Sequence, residues 1–307
     1  MQMYSESLKL MGNNFTISVV DEEESVAHQH INSAIEEIRR IERLLTTFKS
    51  DSQTNLINDN AGIQSVIVDQ EVFDLIERSI AISKITQGAF DITYGSIDKS
   101  LWNFDKTMTK LPSPDDAKKM VHLINYQNII LDSSSHSVFL KAKGMRIGFG
   151  GIGKGYAAEM AKKLLIKNGA KSGIINASGD LCTWGFQPNE KPWTIGIADP
   201  DKPQAPFSYI EISNKAVATS GNYEKYILID GKKYSHTIDP KTGLPISGIK
   251  SVTIISSNAE FADAMATPMA VMGIEAGLFL INQIPDLHCI IIDDDNKIYT
   301  SKNIHLK

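Results

Sequence analysis

The sequence predicts an α+β fold in a single compact domain, with helices from the first third of the chain packed on mixed β-sheets formed by the rest. In the first third, apolar residues recur every three to four positions, which is the period of amphipathic helices. In the second half they form short runs bounded by Gly, Asn and Asp, a pattern typical of strands joined by turns. Composition does not shift along the chain, so one domain covering 1–307 is expected.

Composition and charge exclude several classes of partner. The chain has 307 residues, 42% of them hydrophobic, and a formal net charge of −5 without a long block of like charge, so no nucleic-acid partner is expected. It has no apolar run of about 18 residues and no basic N-terminus followed by an apolar stretch, so no membrane span is predicted. As written, the sequence predicts a cytoplasmic protein, while a periplasmic or lipid-anchored form whose signal has been removed stays open.

Cys182 and Cys289 lie far apart, outside any CxxC motif, and are predicted to be structural thiols rather than a disulfide or a zinc site.

Helices and short strands are predicted in the first half of the chain. An amphipathic helix covers 23–48, with Phe48 in its apolar stripe, and a second covers 70–87, with Gly88 as its C-cap. Before them, 8–20 is predicted to be a strand or hairpin arm in which Gly12 marks a bulge or a close backbone approach. Residues 49–62 are predicted to be loop and turn, and a short helix over 112–125 precedes a hairpin of 129–131 with 138–142. Asp91, between an aromatic residue and a glycine-containing turn, could cap the next element or contact a ligand ring.

A glycine-dense segment at 148–155 joins a predicted strand, beginning at Met145, to a helix that runs to about Asn168. Glycines let the backbone approach an anion, amides at a helix N-terminus donate to it, and Lys154 adds a positive charge. The spacing matches neither GxxxxGK[ST] nor a complete GxGxxG unit. Phosphate binding and glycine-mediated close packing of the helix on a strand therefore both stay open.

The second half is rich in predicted strands, which cover 173–180, 193–198, 208–213, the start of 216–223, 226–234, 252–256, 289–293 and 297–300. The Asp230-Gly231 pair predicts a hairpin turn within 226–234, and this hairpin leads to His236. Two helices are predicted over 261–273 and 274–282.

Two features between residues 236 and 267 suggest chemistry. His236 precedes a turn fixed by Asp239-Pro240 and Gly243-Leu-Pro245, a place where catalytic side chains often lie, although a structural hydrogen bond is the commoner role of a lone histidine. Asp263 and Thr267 are four residues apart in a helical segment, so a carboxylate and a hydroxyl share one face, and such oxygen ligands suit Mg²⁺. Thr267 could instead bond a carbonyl of its own helix.

Seven short motifs follow one another along the chain. They are Met11-Gly12, Gly88-Ala-Phe-Asp91, Gly151-Ile-Gly-Lys154-Gly-Tyr156-Ala, Asn176-Ala-Ser-Gly-Asp180, Thr219-Ser-Gly-Asn-Tyr223, Ser235-His-Thr-Ile-Asp-Pro-Lys-Thr-Gly243 and Ala262-Asp-Ala-Met-Ala-Thr267. In this order the set resembles the ApbE family of FAD:protein FMN transferases, and it spans nearly the whole chain. One position departs from the family pattern, because Gly148 stands where many members carry an acidic residue.

The resemblance implies a T-fold-like domain that transfers FMN from FAD to a Ser or Thr hydroxyl of a target flavoprotein and releases AMP, with Mg²⁺ on the diphosphate. It implies that Mg²⁺ is bound by the side chains of Asp263 and Thr267 and the carbonyls of Gly151 and Ala266. It implies that FAD contacts Met11, Phe48, Ala89, Phe90, Asp91, Lys154 and Thr237. His236 is then the predicted base for the hydroxyl proton, and Asp180 a second catalytic polar group. Two alternatives stay open: a magnesium-dependent FAD pyrophosphatase, in which water replaces the hydroxyl, and a flavin-binding protein without turnover.

Overall fold

The computed structural model describes residues 1–98, 100, 110–199, 202–221, 226–302 and 304. Its helices are α1 (Glu24–Leu45), α2 (Gln53–Asp59), α3 (Gln70–Ile85), α4 (Pro114–Met120), α5 (Gly153–Lys167), α6 (Ala259–Met272) and α7 (Ile274–Ile281). Its strands are β1 (Gln2–Leu10), β2 (Asn13–Asp21), β3 (Val66–Ile67), β4 (Ile129–Asp132), β5 (Ser137–Leu140), β6 (Ser172–Ala177), β7 (Asp180–Trp184), β8 (Trp193–Asp199), β9 (Lys202–Ile212), β10 (Ala216–Gly221), β11 (Tyr226–Ile229), β12 (Lys232–Ser235), β13 (Ile249–Ser256), β14 (His288–Asp293) and β15 (Ile298–Thr300). The predicted α+β class is confirmed.

An eight-stranded sheet forms the centre of the fold, in the order β1-β2-β6-β7-β10-β13-β14-β15. Every neighbouring pair in it is antiparallel, where mixed sheets were expected. β13 is buried along its whole length, because other elements cover both faces of the sheet at this point. Smaller sheets, β3-β5-β4, β8-β9 and β11-β12, lie outside it.

Helices α1, α5 and α6 cover one face of the large sheet. Ile31 of α1, Ala158 of α5 and Met265 of α6 are fully buried and share one hydrophobic core with Ile17 and Ile254 of the sheet. The expectation that the covering helices come from the first third of the chain was correct for α1 and wrong for α5 and α6. A single core built from both ends of the chain is what a compact domain requires.

The β8–β9 hairpin covers part of the opposite face. Ile195 of β8 packs with Val217 and Ile255 of the large sheet in a second apolar cluster. A third cluster holds α4 against the loop that follows β12, through Ala117 and Ile238. This last contact fixes the loop that carries the predicted base.

Two predictions about turns and helix ends were wrong. Helix α1 ends at Leu45, because Thr46 adopts an extended backbone with φ −62° and ψ 142°. Phe48 consequently lies outside the apolar stripe and is 96% exposed. Met11 and Gly12, with φ of 49° and 75°, form the tight turn between β1 and β2, so Gly12 is neither a bulge nor a close backbone contact.

Two further segments differ from the predicted secondary structure. Residues 53–59, expected to be turn, form α2, because Ser52 caps the helix by accepting the N–H of Asn55. The segment 145–149, expected to be a strand, belongs to no sheet. Instead the N–H of Ile147 donates to Oδ1 of Asn58 at 2.7 Å, and Nδ2 of Asn58 donates to the Ile147 carbonyl at 3.1 Å. A side-chain amide takes the place of a neighbouring strand there.

The described residues also bear on the cysteine and membrane predictions. Cys182 and Cys289 are free and buried, as predicted, and burial raises the pKa of each thiol to about 12. Thiolate chemistry is therefore disfavoured at both. Within the described ranges, no helix has both the length and the apolar character that crossing a bilayer requires.

Candidate active site

Three charged side chains from three elements meet beside the glycine-rich segment. Lys154 lies in the first turn of α5, Asp180 begins β7, and Asp263 lies in α6. The Nζ atom of Lys154 is 2.5 Å from Oδ2 of Asp180 and 3.6 Å from Oδ1 of Asp263. Both carboxylates are buried. We call these three residues the Lys154 cluster; the sequence predicted each of them separately and did not predict that they would meet.

Burial and mutual charge set the protonation of the Lys154 cluster. Burial opposes the ammonium of Lys154, but the charges of Asp263 and Asp180 outweigh it and raise the pKa of Lys154 above its ordinary value. Burial, together with the charge of Asp263, raises the pKa of Asp180 to about 6, although Lys154 acts in the other direction. Lys154 is therefore charged at neutral pH, and Asp180 titrates closer to neutrality than a solvated aspartate does.

The carboxylate of Asp263 also caps helix α5. The N–H of Gly155 donates to Oδ2 of Asp263 at 2.9 Å, rather than to the carbonyl of Gly151 four residues before it. No donor from the described part of the chain reaches that carbonyl. A capping carboxylate is favourable at a helix N-terminus, and here it leaves the Gly151 oxygen available to a ligand.

The glycines of this segment divide into two groups. Gly155 has no room for a side chain, because a Cβ would lie 2.2 Å from the carbonyl oxygen of Ala259 and 2.6 Å from Cβ of Asp263. At Gly148 and Gly150 a Cβ would meet nothing within 4 Å. Gly155 therefore serves the close packing of α5 on α6, whereas the backbone at Gly148 and Gly150 has open space beside it.

Hydroxyl groups of β10 lie next to α6. Oγ1 of Thr267 donates to Oγ of Ser220 at 3.3 Å, so Thr267 faces the strand rather than a carbonyl of its own helix. The N–H of Thr219 donates to Oδ1 of Asp180 at 3.2 Å. β10 therefore contacts both Thr267 of α6 and Asp180 of the Lys154 cluster. Ser220 had no predicted role, although it lies within the motif that begins at Thr219.

Met11 and Phe90 lie against the start of α5. Cε of Met11 is 3.6 Å from the position that a Cβ of Gly153 would take, and the ring of Phe90 is 3.7 Å from the corresponding position at Gly151. Ala89 and Phe90 are buried. These predicted flavin contacts thus lie beside the Lys154 cluster. Phe48, by its exposure, packs against none of them.

Asp91 caps a turn. Its Oδ1 accepts the N–H of Thr93 at 2.8 Å and the hydroxyl of Thr93 at 2.6 Å, and its Oδ2 accepts the N–H of Tyr126 at 2.9 Å. Burial raises the pKa of Asp91, and these hydrogen bonds act against the rise. The capping role left open by the sequence is therefore present, and a flavin contact of Asp91 stays a prediction.

The loop that carries His236 is anchored to the segment that follows Asp91. The N–H of Ile238 donates to Oη of Tyr94 at 3.2 Å. At Gly243, where φ is 72°, a Cβ would lie 2.0 Å from the carbonyl oxygen of Ala117, so the turn is packed directly on α4. His236 is exposed and Thr237 half-buried. No local pattern indicated a role for Tyr94, because its partner Ile238 is distant in the chain.

Comparison with known proteins identifies the family. The ApbE family model matches residues 11–291. The chain belongs to the ApbE family. A relative from Klebsiella pneumoniae (strain 342), named FAD:protein FMN transferase, is 32% identical over 100% of this chain and 94% of its own length. A relative of the same name from Treponema pallidum (strain Nichols) is 29% identical over 89% of this chain and 81% of its own.

Solved ApbE structures share the fold. The crystal structure of the ApbE protein from Thermotoga maritima matches with a TM-score of 0.86 at 31% identity, over 98% of this chain and 97% of that one. The apo flavinyl transferase ApbE of Pseudomonas stutzeri matches with a TM-score of 0.84 at 25% identity, over 98% of this chain and 95% of that one. The family recognition and the assignment to a family of enzymes are therefore confirmed.

In this ApbE-family chain, the donors beside the Lys154 cluster are oxygens. The described residues contain no group of three or more His, Cys, Asp or Glu side chains placed to hold a metal, but a hard cation is served equally by carbonyls, hydroxyls and water. A helical N–H bonds to the carbonyl four residues before it. Pro268, inside α6, has no N–H, so the carbonyl of Ala264 is the one that loses its helical donor. The carbonyl of Ala266 keeps its helical donor and has a second lone pair, so its assignment as a ligand stays a prediction.

Proposed function

We propose that the protein transfers FMN from FAD to a Ser or Thr hydroxyl of a target flavoprotein, in a reaction that depends on Mg²⁺ and releases AMP. The observation that carries the proposal is the carboxylate of Asp263 at the N-terminus of α5, beside the ammonium of Lys154 and the carbonyl of Gly151, which accepts no hydrogen bond from the described residues. This arrangement offers groups for a cation and for a diphosphate in one place. The name shared by the relatives supports the same reaction class.

The donor set fits Mg²⁺. We assign the side chains of Asp263 and Thr267 and the carbonyls of Gly151 and Ala266 as protein ligands, since Mg²⁺ prefers hard oxygen donors and shares its remaining positions with water and phosphate. Oδ2 of Asp263 is hydrogen-bonded to Gly155, so Oδ1 is the oxygen left for the ion. When bound, Mg²⁺ supplies charge neutralisation on the diphosphate.

The N-terminus of α5 would bind the diphosphate of FAD. The ammonium of Lys154 and the helix dipole both favour an anion there. Asp180 positions Lys154 through the ion pair of 2.5 Å. Met11, Ala89 and Phe90 would contact the flavin nucleotide from beside the same helix turn, and Phe48, Asp91 and Thr237 are proposed as further contacts.

His236 would take the proton of the acceptor hydroxyl. The acceptor oxygen forms a bond to the phosphorus of the FMN half, the bond from that phosphorus to the AMP phosphate oxygen breaks, and AMP leaves with the electron pair. The hydroxyl proton passes to a ring nitrogen of His236, because histidine is the side chain that most often acts as a general base. The packed turn after His236 restricts the loop that carries it.

Incubation with FAD and MgCl₂, with and without a flavoprotein acceptor, tests the proposal. Equal amounts of AMP and protein-bound FMN, both dependent on Mg²⁺, are expected. AMP together with free FMN in the presence of acceptor would instead identify a pyrophosphatase. Unchanged FAD that remains bound would identify a flavin-binding protein without turnover.

A further inference from the structure

Among the described residues, the β11–β12 hairpin has a strand edge that no other strand covers. Within those residues β11 pairs with β12 alone, in a sheet of two strands. Asp230 and Gly231, with φ of 50° and 77°, form a two-residue turn of the I′ type. In such a hairpin the residues flanking the turn, Ile229 and Lys232, exchange hydrogen bonds with each other. Because the pattern alternates along the strands, the N–H and C=O of Leu228 point away from β12.

The opposite edge of the hairpin supports this register. By the same alternation, the N–H of Ser235 on β12 points away from β11, and it donates to the carbonyl of Ile246 at 2.9 Å. No group in the described ranges meets the backbone of Leu228 in a similar way. The edge of β12 is thus covered near Ser235, while the edge of β11 is open at Leu228 as far as the described part of the chain extends.

The side chains around this edge combine apolar area with positive charge. Tyr226 and Leu228 share one face of β11 and are 40% and 57% exposed. Lys233 lies opposite Leu228, and its Nζ is 5.1 Å from the ring centroid of Tyr226. With Lys232 the hairpin carries two lysines against one aspartate, in a chain of net charge −5. An open edge with these side chains suits an extended segment that alternates β-forming and acidic residues.

The position of the hairpin indicates what covers the edge. β12 ends at Ser235, and the next residue is His236, the proposed base. The second substrate of the proposed reaction is a protein hydroxyl, which has to reach this histidine. A strand added to β11 would lie two strand spacings, roughly 10 Å, from β12. If it runs antiparallel to β11, it leaves the hairpin at the end near Tyr226, where His236 also lies.

We propose that the target flavoprotein docks by adding an extended acidic segment to β11 as a third, antiparallel strand, so that the acceptor hydroxyl following this segment reaches His236. The proposal rests on the proposed function, because it assumes a protein acceptor. It assigns the hairpin to recognition of the acceptor and not to FAD, Mg²⁺ or the Lys154 cluster.

The sharpest test replaces the open amide itself. Leu228→Pro removes the outward N–H, and proline is tolerated on an edge strand where no ladder bond is lost. Leu228→Ala is the matched control, since it removes the side chain and keeps the N–H. The probe is a fluorescein-labelled peptide in which three Asp-Val repeats precede a single threonine, and its counterpart carries Lys in place of Asp. Binding is measured by fluorescence anisotropy without FAD, and thermal unfolding and FAD affinity are measured for each variant.

We expect wild type to bind the acidic peptide at least about tenfold more tightly than the basic one. Leu228→Pro should weaken this binding by about tenfold or more, and Leu228→Ala by less, while FAD affinity is unchanged in both. Unaltered peptide binding by Leu228→Pro, or no preference for the acidic peptide in wild type, would overturn the proposal.

A second variant covers the case in which Leu228→Pro does not fold. Lys232→Glu combined with Lys233→Glu should reverse the preference between the two peptides, and an unchanged preference would overturn the proposal. Addition of FAD and MgCl₂ then separates docking from chemistry. A wild-type protein that binds the acidic peptide and transfers no FMN to its threonine or to a flavoprotein would retain the docking surface and contradict the proposed function.

Discussion

Replacing Asp263 with asparagine tests the metal assignment with little disturbance of the fold. Oδ2 of Asp263 accepts the N–H of Gly155 at 2.9 Å, and an asparagine oxygen can accept the same hydrogen bond. Lys154 keeps its partner Asp180 at 2.5 Å. The change therefore removes one negative charge, the only carboxylate among the proposed Mg²⁺ ligands, and leaves the cap of α5 in place.

The expected loss is at least about 10²-fold in Mg²⁺-dependent release of AMP, which corresponds to roughly 3 kcal/mol or more of lost transition-state stabilisation. FAD affinity should stay within a few-fold of wild type, because the proposed flavin contacts lie on other segments. Asp263→Ala is the comparison, since it also leaves the buried N–H of Gly155 without an acceptor. That orphaned donor should lower the free energy of unfolding by about 1–3 kcal/mol relative to Asp263→Asn.

The assay follows AMP by chromatography over a range of MgCl₂ concentrations, with the Kd for Mg²⁺ from calorimetry and the Tm from thermal unfolding. Near wild-type turnover of Asp263→Asn with the same Mg²⁺ dependence would refute the metal assignment. Equal Tm values for the two variants would refute the capping role of the carboxylate.

Three further predictions concern residues at other positions. His236→Ala should slow transfer by about 10²-fold or more and leave the Kd for Mg²⁺ unchanged; transfer at the wild-type rate would exclude His236 as the base. Gly155→Ala should lower the free energy of unfolding by about 1–3 kcal/mol, because the added methyl must displace the backbone of Ala259, and an unchanged Tm would contradict the close packing. Phe48→Ala should change the free energy of unfolding by less than about 0.5 kcal/mol, since the side chain is 96% exposed. The same variant should weaken FAD binding if Phe48 contacts the flavin, so an unchanged Kd for FAD would remove Phe48 from the binding site.

Features set by neighbours in sequence were predictable. The Asp230-Gly231 turn requires positive φ at both residues, which this pair adopts readily, and the structure has it there. The end of the second helix was predicted to within two residues: α3 ends at Ile85 with Thr86 as its C-cap, and the N–H of Gly88, the predicted C-cap, bonds to the carbonyl of Ser83 at 2.7 Å. The placement of Asp263 and Thr267 on one helix face likewise follows from helical periodicity alone.

Features set by distant partners were not predictable. The backbone of Ile147 is held by Asn58, 89 residues before it, so the local apolar pattern at 145–149 could not distinguish a strand from an extended segment. Phe48 continues the spacing of the α1 stripe, but the helix stops before it. The pairing of Lys154 with Asp180 depends on β7 lying beside α5, and motif order along the chain contains no such information. The motifs therefore contained Lys154, Asp180 and Asp263 as separate candidates, whereas the contacts among these three residues required the structure.

Under the proposed function, the charge of the Lys154 cluster explains why a site for a diphosphate contains two buried carboxylates. Burying charged side chains costs desolvation free energy, and the attraction between them offsets this cost only in part. The cluster therefore contributes little to the stability of the fold. With both carboxylates ionised it carries one net negative charge, which by itself repels a diphosphate. A divalent cation bound to Asp263 would reverse that sign, and a diphosphate with two negative charges would then return the site to one net negative charge. Lys154 is held in place by Asp180 throughout, so the ammonium is oriented before substrate arrives. The unfavourable burial is thus consistent with a site arranged for a cation and an anion together, and not for either alone.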